Sequence, residues 1–322
     1  MIETTIGIDI GGTNSVIGIV DLQGRIYKTT TVPTTKFTDA AKFVAELDLA
    51  IQSLLNANRE KFKLLGIGIG APNANYYQGT IENPPNLPWK GITPLKKLLL
   101  NYYNIPITLT NDANAAAVGE MVFGGAQKMK DFIVLTLGTG LGSGIVVNGE
   151  LLYGYSGFAG ELGHMNMFPD GRLCGCGQKG CLETYVSATG ICRTVIELIE
   201  EGFVPGVLSK YKPEEFNSRL IAEAAEKGDP LALRAFEKTG EVLARAIVNT
   251  VVFSSPEAIF LFGGLARAGK FLLNPTQKWI EKKTPVFFKN SFQVLFSLLE
   301  EKNAAVLGSS ALAWNELKKS IK

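Results

Sequence analysis

The chain has 322 residues, 46% of them hydrophobic and 19% charged, with a formal net charge of +2. This is the composition of a globular protein of about two domains, and its charge gives no electrostatic reason to expect a nucleic-acid partner. No apolar run reaches the ~18 residues that span a bilayer, and the first residues enter a strand with no basic-then-apolar leader, so no membrane partner and a cytoplasmic location are expected.

Thr4 to Asp21 reads as strand, glycine turn, strand, with Gly11-Gly12-Thr13-Asn14 at the turn. Gln23-Gly24 makes a second turn, and Arg25 to Val32 a third strand. Thr38 to Asn58 has helical periodicity, with Leu47, Leu54 and Leu55 on one face. Leu64 to Gly70 is a short apolar strand ended by Ala71-Pro72. Pro94 to Tyr103 reads as a helix, Ile105 to Leu109 as a strand, and Ala113 to Phe123 as an alanine-rich helix. Phe132 to Leu137, the turn Gly138-Thr139-Gly140-Leu-Gly142, Ser143 to Val147, the Asn148-Gly149 hairpin and Glu150 to Tyr153 then repeat the opening unit. Helices follow near Ser187–Glu201, Ser218–Lys227 and Pro230–Phe253. A strand, Ala258 to Phe262, meets Gly263-Gly264, and Ala304 to Lys318 is a last helix. Mixed hairpin and β-α units predict an α/β fold with covered sheets, and two such domains facing each other would form a cleft.

Backbone N–H groups in a glycine turn can converge on one anion. Three such turns, each after an apolar strand, point to a polyphosphate ligand between the two domains: Gly11-Gly12-Thr13, Gly138-Thr139-Gly140 and Gly263-Gly264. No Gly-x4-Gly-Lys-Ser/Thr is present, which excludes a P-loop. A strand follows Gly138–Gly144 where a dinucleotide fingerprint opens a helix, and Gly264-Leu-Ala266-Arg-Ala-Gly269 lacks the second glycine.

His164 is the only histidine, and Cys174, Cys176 and Cys181 follow within seventeen residues. One imidazole and three thiols form a set that closes a tetrahedral zinc site. A chain with four cysteines and no secretory signal does not read as a disulfide scaffold. Three thiolates and a histidine leave no open position for water, which argues against a zinc hydrolase. Glu161 and Glu183 bracket the cluster, so the ion would stiffen a loop that presents two carboxylates. Cys192 reads as a small core residue.

Asp9 precedes the first glycine turn, where a carboxylate could hold Mg2+ through water or simply cap the turn. Asn111 and Asp112 sit between a strand and a helix. Taken alone, Asp112 reads as a helix N-cap. The two roles can be divided, with Asn111 capping and Asp112 kept ionised by the helix N-terminus as a base.

Five motifs together resemble the ROK family of sugar kinases and repressors. They are Asp9-Ile-Gly-Gly-Thr13-Asn14, Asn111-Asp112-Ala-Asn114-Ala-Ala, Gly138-Thr-Gly140-Leu-Gly142-Ser-Gly144, Gly160-Glu161-Leu-Gly-His164 and Cys174-x-Cys176-x4-Cys181-Leu-Glu183. They run in family order over nearly the whole chain. The resemblance implies the actin-like, ribonuclease-H-like ATPase fold, with two α/β domains around a cleft. The first domain would be 1–120, with helix 304–322 packed on it. The second, 121–303, would carry the zinc loop and the adenosine site. Asp112 would be the general base and touch the substrate. Asn111, Glu161, His164 and Glu183 would bind sugar hydroxyls, and His164 would also hold zinc. Asp9, Gly11, Gly12, Thr13, Asn14, Gly138, Thr139, Gly140, Gly263 and Gly264 would serve ATP and Mg2+.

Repressors of this family carry an N-terminal DNA-binding region. The phosphate strand begins here by residue 4, so a kinase without nucleic-acid partner is expected. Gly70-Ala-Pro72 and Pro85-Asn86-Leu-Pro88-Trp89 look like the glucokinase branch, which implies ATP-dependent phosphorylation of the 6-hydroxyl of glucose. Asn73-Ala-Asn75 departs from it, because glucokinases commonly place glycine after the proline. N-acetylglucosamine or N-acetylmannosamine therefore stays open as substrate, as does a non-catalytic sugar sensor. The expected assembly is a homodimer.

Overall fold

The structure, a computed structural model, describes residues 1–56, 61–84, 86–204, 206–299 and 304–319. In chain order the elements are β1 (Ile2–Ile10), β2 (Asn14–Asp21), β3 (Ile26–Pro33), α1 (Ala40–Asn56), β4 (Phe62–Gly70), β5 (Ala74–Asn75), β6 (Thr80–Glu82) and β7 (Ile92–Thr93). Then come α2 (Leu95–Leu99), β8 (Ile107–Thr110), α3 (Asp112–Val122), β9 (Phe132–Leu137), β10 (Leu141–Val147) and β11 (Glu150–Leu151). The chain continues through α4 (Ala188–Glu200), α5 (Ser218–Glu226), α6 (Pro230–Ser254), β12 (Ala258–Phe262), α7 (Lys270–Lys283), β13 (Gln293–Phe296) and α8 (Ala304–Lys319). The fold is α/β, as expected, with two mixed five-stranded sheets ordered β3-β2-β1-β4-β8 and β11-β10-β9-β12-β13. Each sheet has hairpin strands at one side and parallel strands reached by crossovers at the other: β1, β4 and β8 in the first, β9, β12 and β13 in the second. The repeat read in the sequence is therefore a repeat of strand order.

Two compact units result. The first contains Met1–Lys130, Gly144–Ala159 and Leu298–Lys322, and the second Asp131–Ser143 and Gly160–Ser297.

In the first unit, β1 is buried on both faces because its side chains alternate between two neighbours. Ile6, Ile8 and Ile10 join Ile17, Ile19, Ile67 and Ile69 in a core closed by Phe43, Leu47 and Ile51 of α1. The opposite face is built from small residues. A Cβ on Gly68 would overlap the Ser309 carbonyl oxygen, and one on Gly7 the Val306 carbonyl oxygen. These glycines make a flat floor on which the backbone of α8 lies directly. Thr5 Oγ1 and Ser310 Oγ are hydrogen-bonded at 2.7 Å, and the Gly70 N–H donates to Ser309 Oγ at 3.2 Å.

Several elements differ from expectation. α1 starts at Ala40, two residues late, and its expected end at Asn58 lies outside the described residues, as do Pro85, 301–303 and 320–322. α2 stops at Leu99 rather than Tyr103; turns follow, and the Tyr103 hydroxyl instead donates to Asp48 of the neighbouring helix at 2.7 Å. β8 starts at Ile107, after Pro106, which has no N–H to give a ladder. β11 ends at Leu151 rather than Tyr153. The sequence reading has no counterpart for β5–β7, α7 or β13. α7 carries Pro275 inside it, against Gly240 of α6, whose missing side chain makes the room.

Candidate functional site

Parallel sheets present their ligand sites at the carboxyl ends of their strands. In the first unit β1, β4 and β8 end together, and the register pairs Asp9 with Gly70 and Gly70 with Thr110. Asn111 is the N-cap of α3: its Oδ1 accepts the Asn114 N–H at 2.7 Å. Asp112 is thereby relieved of capping and begins the helix, its Oδ1 accepting the adjacent Ala113 N–H at 2.9 Å. The cap is thus Asn111, one of the two possibilities the sequence allows; the expectation that the helix N-terminus keeps Asp112 ionised is countered by the desolvation around it.

Asp112 keeps solvent-accessible surface, yet the protein around it is dense. That desolvation pushes its carboxyl above the ordinary range, opposed by the Ala113 N–H and its own backbone N–H. Asp9 is pushed up to about 6, first by burial and then by the negative charge of Asp112. A buried carboxyl group raised further by a neighbouring acid suits a cation or a proton. Gly11, Gly12, Thr13 and Asn14 form the turn directly after Asp9, closed by the Gly11 N–H on the Asn14 carbonyl at 3.1 Å; Thr13 and Asn14 are exposed.

The loop Asn73-Ala-Asn75 leaves β4 beside these strand ends. Asn73 has φ 51°, in the left-handed region that favours glycine and tolerates asparagine. Its amide donates to the Glu82 and Asn83 carbonyls at 3.1 and 3.3 Å. Asn75 is buried; it donates to the Ser156 carbonyl at 3.1 Å and accepts the Tyr77 and Gln78 N–H groups at 3.1 and 3.3 Å. Both side chains hold backbone, so the departure from glycine is a backbone substitution rather than a new pair of ligand donors.

In the second unit the other two glycine turns meet. Phe262 pairs with Thr136 at the ends of β12 and β9, and the Leu265 N–H donates to the Leu137 carbonyl at 3.0 Å. This sets Gly263-Gly264 beside Gly138-Thr139-Gly140. The Gly138 carbonyl accepts the Ala188 N–H at 2.8 Å and the Thr139 carbonyl accepts Thr189 Oγ1 at 2.8 Å, which ties the turn to the start of α4. Glu183 ties it from the other side: its Oε2 accepts the Leu141 N–H at 3.0 Å, and a Cβ at Gly140 would overlap that oxygen. Glu161 sits on an exposed segment held by buried Ser143, whose Oγ donates to the Gly160 carbonyl and accepts the Leu162 N–H at 3.2 Å.

His164, Cys174, Cys176 and Cys181 converge, with all four ligand atoms within 4.8 Å of one another. Cys174 Sγ lies 3.8 Å from His164 Nδ1, and Cys176 Sγ 3.6 Å from Cys181 Sγ. A tetrahedron with metal–sulfur bonds of about 2.3 Å has S···S edges of about 3.8 Å, so the cluster fits one metal ion. Burial pushes the Cys174 thiol up to about 12, while the Gln178 N–H pulls Cys176 down. Cys174 also donates to Glu183 Oε1 at 3.5 Å, so Glu183 bridges the cluster and the Gly138 turn. Cys192 stands apart in α4, half-buried, donating to the Ala188 carbonyl at 3.1 Å.

Two residues that organise this region escape a sequence reading. Ser143 begins a strand in the sequence reading, and nothing there marks its hydroxyl as a partner for the Glu161 segment. Arg172 precedes the first cysteine by two residues, and nothing in its local sequence marks it as buried.

The ROK family model matches residues 5–316. The glucokinase of Halalkalibacterium halodurans is 36% identical over 280 residues, 86% of this chain and 84% of its own length. Among solved structures, a ROK family glucokinase from Streptomyces griseus in complex with glucose and AMPPNP has a TM-score of 0.76 and 33% identity, covering 97% of this chain and 99% of that one. A ROK family transcriptional regulator, homologous to the E. coli MLC protein, has a TM-score of 0.87 at 26% identity, covering 98% of this chain and 78% of that one.

Proposed function

We infer the activity from one premise: the chain belongs to the ROK family, and it is a sugar kinase of that family with homology to the glucokinase branch. We propose that it transfers the γ-phosphoryl group of ATP to the 6-hydroxyl of glucose, with Asp112 as general base. The observation that carries this is the division of labour at the start of α3. Because Asn111 caps the helix, a carboxylate with raised basicity is left accessible beside Asp9 at the strand ends.

In this reading Asp112 accepts the proton of the 6-hydroxyl as its oxygen bonds to the γ-phosphorus and the bond to the β-bridging oxygen breaks. A carboxyl group raised by desolvation is a stronger base than a free aspartate, which favours that transfer near neutral pH. Phosphoryl transfer passes through a loose transition state, so positioning and electrostatics carry most of the acceleration. Asp9 would hold Mg2+ through water, and the cation, when bound, neutralises phosphate charge. The turns at Gly11-Gly12-Thr13-Asn14, Gly138-Thr139-Gly140 and Gly263-Gly264 would offer N–H groups to the nucleotide. Asn111, Glu161, His164 and Glu183 would orient the sugar. With His164 Nδ1 turned to the cysteines, its Nε2 is left for a sugar hydroxyl. We assign the Cys/His cluster to a structural zinc that keeps this loop rigid.

N-acetylglucosamine or N-acetylmannosamine is the alternative acceptor. A second reading, a sugar-sensing protein without catalysis, draws on the likeness to the transcriptional regulator. A coupled assay of ADP release with glucose, N-acetylglucosamine, N-acetylmannosamine and fructose separates these. The proposal expects glucose-dependent ADP release. Binding of glucose with no ADP release from any of the four sugars would favour the sensor.

A further inference from the structure

Arg172 is a heavily bonded side chain of the second unit. Its side chain is only 6% exposed. Nε and Nη2 donate to the two carboxylate oxygens of Glu197 at 2.7 and 2.6 Å. Nη1 donates to the Thr184 and Gly190 carbonyls at 2.5 and 3.0 Å, and Nη2 to Thr194 Oγ1 at 2.8 Å. The guanidinium carbon lies 4.3 Å from the centre of the Tyr185 ring. All five N–H groups of the fork are therefore engaged, an arrangement lysine cannot reproduce.

The partners fall in two places. Thr184 and Tyr185 directly follow Glu183, while Gly190, Thr194 and Glu197 form one stripe along α4. On the other side, Arg172 backbone closes the cysteine loop: its carbonyl accepts the Gly180 N–H at 2.8 Å, and its own N–H donates to the Tyr185 hydroxyl at 2.9 Å. One residue separates it from Cys174. The first turn of α4 in turn donates to the Gly138 and Thr139 carbonyls.

A continuous hydrogen-bonded path thus runs from the cysteine cluster through Arg172 and α4 to the Gly138 turn, beside the direct bridge made by Glu183. We propose that Arg172 is a positioning residue that couples metal occupancy of the Cys/His cluster to nucleotide binding at the Gly138-Thr139-Gly140 turn. The idea rests on the kinase reading. A bound metal orders the loop, the ordered loop fixes Arg172 against α4, and α4 sets the turn before the nucleotide arrives. The nucleotide then meets a turn whose ordering cost is already met, so the two ligands favour each other. Coupling of binding free energies is reciprocal, so nucleotide must raise metal affinity by the same factor.

The test measures affinity rather than turnover. Zinc affinity of the full chain is determined by equilibrium competition with a zinc-selective chelator, with and without saturating MgADP, and ADP affinity is followed by calorimetry. Wild type is expected to hold zinc at least about 5-fold more tightly with MgADP, the low end of typical coupling. Arg172→Lys keeps the charge but loses the fork; it is expected to bind zinc stoichiometrically and to lose most of the MgADP effect. Glu197→Gln, which leaves Arg172 in place with one neutral partner, is expected to lose part of it and serves alone if Arg172→Lys does not fold. Undiminished coupling in these variants overturns the role of Arg172. ADP binding to wild type without any effect on zinc overturns the coupling while leaving the kinase reading intact. Wild type that binds no ADP overturns both.

Discussion

The two hairpin turns, Gly11-Gly12-Thr13 and Gly138-Thr139-Gly140, occupy the same place in two sheets of the same strand order, yet they are equipped differently. Two residues before the first stands Asp9; two before the second stands Thr136. The first turn belongs to a sheet with two acids at the carboxyl ends of its strands, Asp9 in β1 and Asp112 at the start of α3 after β8, each with a raised pKa. The second has no acid of its own strand and is instead braced by Glu183, by α4 and through them by the Cys/His cluster. Duplicated topology supplies two frames for glycine turns, and the local residues distinguish them. In the proposed reading, one frame serves charge and proton handling and the other rigid presentation of N–H groups.

The largest effect should come from the acidic frame. Asp112→Asn preserves shape and leaves Asn111 as the cap, so fold, metal content and sugar binding should persist. Turnover should fall by at least ~10²-fold, the low end for loss of a general base. Turnover near wild type in a steady-state assay would reduce Asp112 to a first-turn helix residue and erase the contrast between the frames.

Next comes the braced frame. Purified wild type is expected to carry about one zinc per chain, and Cys176→Ala to carry none. Metal analysis reads this directly, and limited proteolysis should find new cleavage between Glu161 and Glu183. Fresh, chelator-free wild type without zinc would remove the metal from the comparison.

A smaller effect concerns pH. Asp9 titrates at about 6 in the folded chain against an ordinary 3.8, so folding favours its protonated form. Its contribution to stability is full below the ordinary value and is lost as pH rises through about 6. Asp9→Asn imitates the protonated side chain. The ligand-free variant should match wild type in Tm near pH 4 and exceed it near pH 7. Parallel Tm curves for the two proteins would show that Asp9 is not under the strain its surroundings imply.

The smallest effect is expected at the sugar loop. Glucose should be the better substrate, with measurable N-acetylglucosamine activity. Because the Asn73 amide is held by backbone carbonyls, Asn73→Gly should change the ratio of kcat/KM values by less than about 0.5 kcal/mol, the low end for one hydrogen bond. A large swing in that ratio would return Asn73 to the substrate pocket.

The same contrast explains what a sequence reading can reach. Short-range signals carry far: both strand-turn-strand hairpins, the α/β class, the bounds of α4–α6 to within about two residues, and the convergence of one histidine with three cysteines. Asn111 as the cap was legible as one of two possibilities, because Asn and Asp are both good caps and only geometry chooses. Features that depend on distant partners were silent. Strands of two or three residues such as β5–β7 give no periodicity. Pro275 argues against α7 until Gly240 is seen to accommodate it. Arg172 and Asn75 look like surface residues, and only their buried partners make them anchors.

The glycine floor under α8 bears on how the molecule is made. β1 and β4 leave the ribosome early, with Gly7 and Gly68 shaped to receive a helix backbone and nothing else. Their helix is translated only after Asp131–Ser143 and Gly160–Ser297 have been synthesised. The second unit is thus fully synthesised while the first still lacks a layer, so their folding is staggered in time, and the unroofed sheet is a transient surface for chaperones to guard.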